Sequence, residues 1–186
     1  MKKALVILFD KVEELEAIAP VDILRRARVD VTTAALGDSL EIIGRSGIAI
    51  DADEPFAEAC KKNFDAVILP GGPGIYDILD MHPDDIAPMR GLFERHLNGG
   101  KIVAAICAAP MVLAEMEILK GKKCTAHQSV ADKIENADVS KNVVRDGCVI
   151  TSRGAGTAVE FGLEILAALE GGNVADEIAK SICFSK

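Results

Sequence analysis

Aromatic residues are scarce in this 186-residue sequence, which has no Trp, one Tyr and six Phe. Proteins that bind single-stranded nucleic acid stack the bases on aromatic side chains, and this chain offers few of them. Basic residues are also in the minority, since 21 Lys and Arg face 29 Asp and Glu and the formal net charge is -8. No basic cluster is long enough to follow a phosphate backbone. We therefore expect no nucleic-acid partner.

Long hydrophobic runs are absent as well. No apolar segment approaches the roughly 20 residues that a membrane-spanning helix needs. The N-terminal MKKALVILFD places two lysines before a short apolar run, but Asp10 follows directly and no small-residue cleavage site is present. We interpret this segment as a first strand and expect no membrane association.

Cofactor and metal motifs are missing too. The sequence has no paired CxxC, no HExxH and no EF-hand pattern, and its glycine-rich segments lack the Walker lysine and the dinucleotide spacing. The missing GxSxG pattern argues against a serine hydrolase. We expect no metal and no cofactor.

An odd number of scattered cysteines favours free thiols in the cytoplasm over a disulfide framework. These cysteines are Cys60, Cys107, Cys124, Cys148 and Cys183.

What the sequence does contain is an alternation of apolar runs with amphipathic helical segments. Near-continuous apolar strands separated by helices predict a mostly parallel sheet covered on both faces, that is, a flavodoxin-like three-layer α/β/α sandwich. We expect one such domain over residues 1–186, with Pro20 kinking or dividing the first helix. The predicted strands span residues 4–9, 29–36, 64–70 and 101–106, with hairpins in 40–53 and 142–152.

Cys107 occupies a distinctive place in KIVAAICAAPMVLAEM, residues 101–116. An apolar strand ends on this cysteine and a helix begins just after it, the layout of the nucleophile elbow of α/β-hydrolases. Helix N–H groups facing the sulfur would lower the pKa of the thiol, and the N–H of Ala108 is placed to serve in an oxyanion hole. The alternative is a buried cysteine that packs as a small hydrophobic residue.

Glu16 and His127 are the candidate partners of the sulfur. Glu16 is one of three acidic residues that follow the first strand, and a carboxyl group beside a thiolate would keep its proton near neutral pH. A charge cluster at a helix start is the alternative. His127 is the remaining histidine candidate because His82 and His96 are expected to be exposed, although a lone histidine also fits a structural role.

The loop Gly71-Gly72-Pro73-Gly74 follows another buried strand. Its backbone N–H groups are suited to an anion, and ligands of such sheets bind beyond the carboxyl ends of the strands.

Together these segments resemble the ThiJ/PfpI superfamily over essentially the whole chain. AAICAAP and TSRGAGT are the specific motifs, supported by EELEAIAPVDILRRA, LPGG and TAH. The resemblance is greatest to the branch of the parkinsonism-linked protein DJ-one (DJ-1) and bacterial YajL. It implies a homodimer and a strained, reactive Cys107 that is hydrogen-bonded to Glu16. It also implies that His127 lies nearby and that Gly71, Gly72 and Ala108 supply backbone N–H groups.

The resemblance further implies a glutathione-independent glyoxalase III-like enzyme or a deglycase. Its substrate would be a small dicarbonyl, methylglyoxal or glyoxal, converted to the hydroxy acid through a hemithioacetal on Cys107. The alternative is an oxidative-stress sensor with chaperone activity. A glutamine amidotransferase-like hydrolase needs a His-x-Glu pair late in the chain, and none follows His127.

The chain departs from the pattern of the superfamily at four places. Gln128 and Ala155 stand where proline is common, and the hairpin arginine is shifted to Arg45, with Ser46 in its usual place. Ala108 replaces the histidine of the protease-like branch, which argues against a peptidase.

Overall fold

Strands and helices alternate along the chain in the computed structural model, which describes residues 1–185. The strands are β1 Lys3–Leu8, β2 Asp30–Ala35, β3 Glu41–Ile43, β4 Ala49–Asp51, β5 Glu54–Pro55, β6 Ala66–Leu69, β7 Ile102–Ile106, β8 Val143–Asp146 and β9 Val149–Ser152. The helices are α1 Glu14–Arg26, α2 Phe56–Ala59, α3 Gly74–Leu79, α4 Pro83–Asn98, α5 Pro110–Glu115, α6 Ala158–Glu170 and α7 Gly172–Ser181. Two short 3-10 turns cover Ala131–Lys133 and Ala155–Thr157. No helix within residues 1–185 is long and apolar enough to cross a membrane.

Seven strands form one sheet in the order β5-β2-β1-β6-β7-β9-β8. All neighbouring strands are parallel except β8 and β9, which form the predicted hairpin. The β3–β4 hairpin lies apart as a two-stranded antiparallel sheet. The mostly parallel sheet is therefore confirmed, whereas the two-residue edge strand β5 and the single-turn helix α2 are not predicted by the sequence pattern.

Helices cover both faces of this sheet. As a result, every residue of β6 and β7 and all but the first of β1 are buried. On one side α1 and α6 pack against each other and against the sheet, and α7 packs on α6. On the other side α4 lies on β6 and β7, α2 lies on β2, and α5 lies on β7. This arrangement confirms the α/β sandwich.

Helix α1 continues through Pro20 without interruption, so the expectation that this proline divides the helix is wrong. A proline removes one backbone hydrogen bond, but tertiary packing can hold the helix together. Here Pro20 is buried against α6. A Cβ on Gly162 would lie 3.2 Å from the Cα of Pro20 and 2.7 Å from Cδ1 of Ile23.

Replacing Gly162 with Leu should therefore force α1 away from α6. Overpacking of this kind costs about 1–3 kcal/mol in the free energy of unfolding. Gly172→Leu is the matched control, because nothing lies within 4 Å of a Cβ at that position. Urea unfolding of the two variants measures the difference. Equal stabilities would show that the α1–α6 interface accommodates the larger side chain without strain.

Candidate active site

The chemically distinctive segments converge because the strands before them are neighbours. β1, β6, β7 and β9 are adjacent and parallel, so their carboxyl ends share one edge of the sheet. The start of α1, the glycine loop, the cysteine and the segment after β9 follow these four strands in turn. The order of the segments along the sequence does not by itself establish this adjacency.

Cys107 adopts a backbone conformation that is unusual for a residue with a side chain. Its φ angle is +67°, in the left-handed region, where a residue other than glycine is strained by about 1–3 kcal/mol. The backbone on both sides fixes this conformation. The N–H of Cys107 donates to the carbonyl of Ser152 at 2.9 Å, and its carbonyl accepts from the N–H of His127 at 2.9 Å. The side chain lies at the junction of β7 and α5, partly buried.

The Glu16 carboxyl group lies beside this sulfur. Glu16 is only 1% exposed, in the first turn of α1. Its Oε2 accepts a hydrogen bond from the N–H of Gly71 at 2.9 Å, and its carboxyl group is hydrogen-bonded with the Cys107 thiol. A Cβ on Gly71 would lie 2.6 Å from both the Cβ of Cys107 and Oε2 of Glu16, so this close approach requires glycine.

Burial raises the pKa of Glu16 to about 7, which is well above the ordinary value for a glutamate. Hydrogen bonds with Cys107 and with the N–H of Gly71 oppose that rise. The charge of Glu13 adds to the rise, while the charge of Arg45 opposes it. The carboxyl group therefore exchanges a proton near neutral pH.

The thiol of Cys107 differs from the sequence-based expectation. Burial, the charge of Glu16 and the hydrogen bond with Glu16 raise its pKa to about 12. The N–H groups of Ala108 and Gly72 act in the opposite direction and stabilise the thiolate. The expected lowering at a helix start is therefore outweighed. Because a second ionisation would place a thiolate against a carboxylate, the pair keeps its last proton throughout the neutral range. It holds two protons below about pH 7, and one proton with one negative charge above it.

His127 is the third predicted side chain of the site, and Ser129 holds its ring. Ser129 Oγ is 2.8 Å from its Nδ1, and the N–H of Ser129 donates to the same nitrogen at 3.3 Å. Because Nδ1 accepts, the neutral ring carries its hydrogen on Nε2. A Cβ on Gly154 would lie 3.4 Å from Cδ2 of His127, 3.8 Å from Oε1 of Glu16 and 3.9 Å from Sγ of Cys107. All three predicted side chains therefore surround Gly154.

Two buried polar residues differ from what the sequence predicts. Glu14 is expected in a surface charge cluster, yet it is buried and accepts a hydrogen bond from the N–H of Ser46 at 2.7 Å. Burial alone would raise its pKa, but hydrogen bonds from the backbone of Glu14, Ser46 and Ile48 lower it. His96 is expected to be exposed, yet it is 4% exposed and its Nδ1 lies 2.8 Å from the carbonyl of Leu92.

The positions that depart from the superfamily pattern lie around the site. Arg45 forms an ion pair with Glu13 at 3.0 Å. Gln128 and Ala155 line a cleft of about 370 Å³ together with His127 and Arg153.

Within residues 1–185 no three His, Cys, Asp or Glu side chains are grouped as metal ligands. The fold and the site together define a class: an α/β sandwich with a strained elbow cysteine and a buried carboxyl partner.

Comparison with known proteins gives that class its name. The model of the DJ-1/PfpI family matches residues 2–168. The crystal structure of Drosophila melanogaster DJ-1beta has a TM-score of 0.92 and 36% identity, and the match covers 100% of this chain and 99% of that one. Glutathione-independent glyoxalase DJR-1.2 of Caenorhabditis elegans is 35% identical over 191 residues, covering 100% and 98% of the two chains. Oxidized Toxoplasma gondii DJ-1 has a TM-score of 0.90 and 26% identity over both whole chains. The chain belongs to the DJ-1/PfpI family.

Glu16→Gln should flatten the dependence of stability on pH. Because the pKa of Glu16 is raised from 4.5 to about 7, the folded chain keeps a proton that the unfolded chain has lost in that interval. The stability due to this proton is present below pH 4.5 and declines by about 3 kcal/mol as the pH rises through 7. Urea unfolding between pH 4.5 and 8 measures it.

Glutamine keeps the hydrogen-bonding shape of the protonated acid but does not titrate, so the variant should lose this decline. Glu170 is exposed on α6, so Glu170→Gln is the control that removes one surface carboxylate. If the free energy of unfolding depends on pH in the same way in Glu16→Gln and in the wild type, Glu16 has an ordinary pKa.

Proposed function

We propose that this protein is a glutathione-independent glyoxalase that uses Cys107 as nucleophile and Glu16 as proton carrier. The observation that carries the proposal is the buried Glu16–Cys107 pair, which keeps at least one proton in the neutral range and has a carboxyl pKa of about 7. A general acid and base works best with a pKa near the working pH. The C. elegans relative named as a glutathione-independent glyoxalase supports the same chemistry.

The reaction begins when the thiol proton of Cys107 passes to Glu16. The thiolate then attacks the aldehyde carbon of methylglyoxal, so that a carbon–sulfur bond forms and the carbonyl π bond opens. The former aldehyde oxygen takes the proton from Glu16, which gives a hemithioacetal and restores the carboxylate. No glutathione takes part, because Cys107 supplies the sulfur.

The second half moves a proton between two carbons. The Glu16 carboxylate removes the proton from the carbon bonded to sulfur, and the electron pair moves through a new carbon–carbon double bond onto the neighbouring carbonyl oxygen. The hydroxyl proton of the hemithioacetal passes to that oxygen, so the intermediate is an enediol-like species. Glu16 returns the proton to the neighbouring carbon, leaving a lactoyl thioester on Cys107. Water then cleaves the carbon–sulfur bond and releases lactate and the thiol. The net change is the addition of one water, and no external oxidant or reductant is needed.

The neighbouring groups have supporting parts in this proposal. The N–H groups of Gly72 and Ala108 face Cys107 and stabilise its charge, while that of Gly71 orients Glu16. His127 presents Nε2–H for a substrate oxygen, because its Nδ1 is engaged by Ser129. Such donors stabilise the charge that develops on oxygen in the transition state.

Lactate formation from methylglyoxal without glutathione tests the proposal. Cys107→Ala should abolish it, and Glu16→Gln should lower kcat/KM by about 10²- to 10⁴-fold because general acid–base catalysis is lost. Cys148→Ala is the matched control, since that cysteine is also partly buried and free. Lactate itself must be quantified, because thiols and amines also consume methylglyoxal.

Two outcomes would contradict the proposal: no lactate from the wild type, or a Glu16→Gln variant with unchanged turnover.

A deglycase would use the same thiolate on an early dicarbonyl adduct of a protein or nucleotide. It is distinguished by product that forms faster than the adduct spontaneously releases free methylglyoxal.

A redox sensor is the second candidate, and the oxidized state of the Toxoplasma gondii relative favours it. The Cys107 thiolate would take one oxygen atom from each of two molecules of hydrogen peroxide, and each peroxide would leave as water. The resulting sulfinate would accept a hydrogen bond from protonated Glu16, with chaperone activity as the output. Glu16→Gln separates the two functions, because it should lower turnover by about 10²- to 10⁴-fold while leaving this oxidation largely intact.

We also propose that the chain forms a homodimer through α1 and the β3–β4 hairpin. These two elements are joined by contacts from Glu13 and Glu14 to the hairpin turn. They expose four large apolar side chains: Leu15, Ile18, Ile43 and Ile48. An exposed apolar patch of this kind marks a protein–protein contact.

Ile48→Lys should convert such a dimer to monomer, because an ammonium group would be buried without a partner. Val139→Lys is the control, since Val139 is exposed but lies outside both elements. Sedimentation equilibrium gives the mass. A variant that remains dimeric, or a wild type that is monomeric at high concentration, would refute this surface.

A further inference from the structure

A cleft of about 370 Å³ lies next to the catalytic pair, and His127 is the only one of its lining residues that the proposed chemistry uses. It lies between the His127 loop and the segment from Arg153 to Thr157. Gly154 connects the cleft to the catalytic pair, because it lines the cleft and a Cβ there would be 3.9 Å from Sγ of Cys107. A molecule bound covalently at the sulfur can therefore extend into the cleft.

The charge of this cleft is opposite to that of the whole chain. The net charge is -8, yet among the described residues that line the cleft there is no Asp or Glu, while Arg153 and His127 are present. The nearby Glu160 is engaged elsewhere, since its carboxylate accepts from Nδ2 of Asn142 at 3.0 Å.

The guanidinium of Arg153 is free to meet a ligand. Its backbone N–H donates to the carbonyl of Asn142 at 3.1 Å, which fixes the position of the residue at the end of β9. The side chain is partly buried and forms no ion pair within residues 1–185. Four other arginines of the described chain do form one: Arg25, Arg26, Arg45 and Arg145. Arginine presents a planar set of donors that matches the oxygens of carboxylates and phosphates.

We infer that this cleft binds the oxyanion group of the substrate, so that the preferred substrates are 2-oxoaldehydes bearing a carboxylate or a phosphate. The identity of the substrate rests on the proposed function, whereas the anion site itself does not. A negative substrate would be repelled by the single negative charge of the Glu16–Cys107 pair. Arg153 offsets that repulsion and holds the substrate with its carbonyl carbon toward the sulfur.

Alkylation of Cys107 tests the anion site without any turnover. Iodoacetate and iodoacetamide have the same leaving group but differ in charge, and the rate constant of each is followed by mass spectrometry of the Cys107 peptide. Arg153→Gln should lower the iodoacetate-to-iodoacetamide ratio about fivefold to tenfold, because the arginine cation that lines the cleft is lost. Arg153→Lys should retain part of the ratio.

The control is Arg90→Gln, which makes the same change of charge on α4. It should leave the ratio unchanged. Inorganic phosphate and acetate are added separately as competitors of iodoacetate in the wild type, and the one that protects identifies the oxyanion. An unchanged ratio in Arg153→Gln, or an equal fall in Arg90→Gln, would overturn the inference.

Turnover distinguishes failure of this inference from failure of the proposed function. Arg153→Gln should lower kcat/KM for 3-phosphooxy-2-oxopropanal, or for a carboxylated oxoaldehyde, at least fivefold more than for methylglyoxal. Equal effects on charged and neutral substrates would reject the substrate class. If the wild type turns over none of them, the glyoxalase proposal fails while the alkylation result still decides the anion site.

Discussion

The burial of the Glu16 carboxyl group against the Cys107 sulfur is the interaction on which the rest of the site depends. Two acidic groups in one poorly solvated place cannot both be ionised near neutral pH. One proton therefore stays with the pair and is available to a substrate. The nearby charges are balanced, since Glu13 and Arg45 act on Glu16 in opposite directions. Burial, and not a neighbouring cation, poises the carboxyl group near pH 7.

Three features of the fold hold the pair in place. The left-handed backbone of Cys107 is fixed by hydrogen bonds to Ser152 and His127. The absence of a side chain at Gly71 lets the glycine loop approach both acids closely. Helix α1 is positioned by contact with α6, and its start is held by the hydrogen bond from Ser46 to Glu14. Each feature comes from a different strand end, so the site exists only in the folded sheet.

Much of this arrangement is predictable from local sequence. The buried strands are near-continuous apolar runs, and a cysteine between a strand and a helix is itself a pattern typical of an elbow. Glu16 and His127 depend on the resemblance, because spacing alone does not distinguish Glu16 from Glu13 or Glu14. The remaining features are products of tertiary structure. The burial of His96 and Glu14 and the raised pKa of Cys107 depend on groups that lie far apart in sequence. The cleft at Arg153 likewise forms only when the His127 loop meets the segment after β9.

The shared proton is open to direct measurement. A ¹³C NMR titration of the carboxyl carbon of Glu16, assigned by comparison with Glu16→Gln, reports its ionisation without relying on activity. We predict a midpoint near pH 7 in the wild type. A midpoint near the ordinary 4.5 would contradict the central claim, because Glu16 would then hold no proton to exchange at neutral pH.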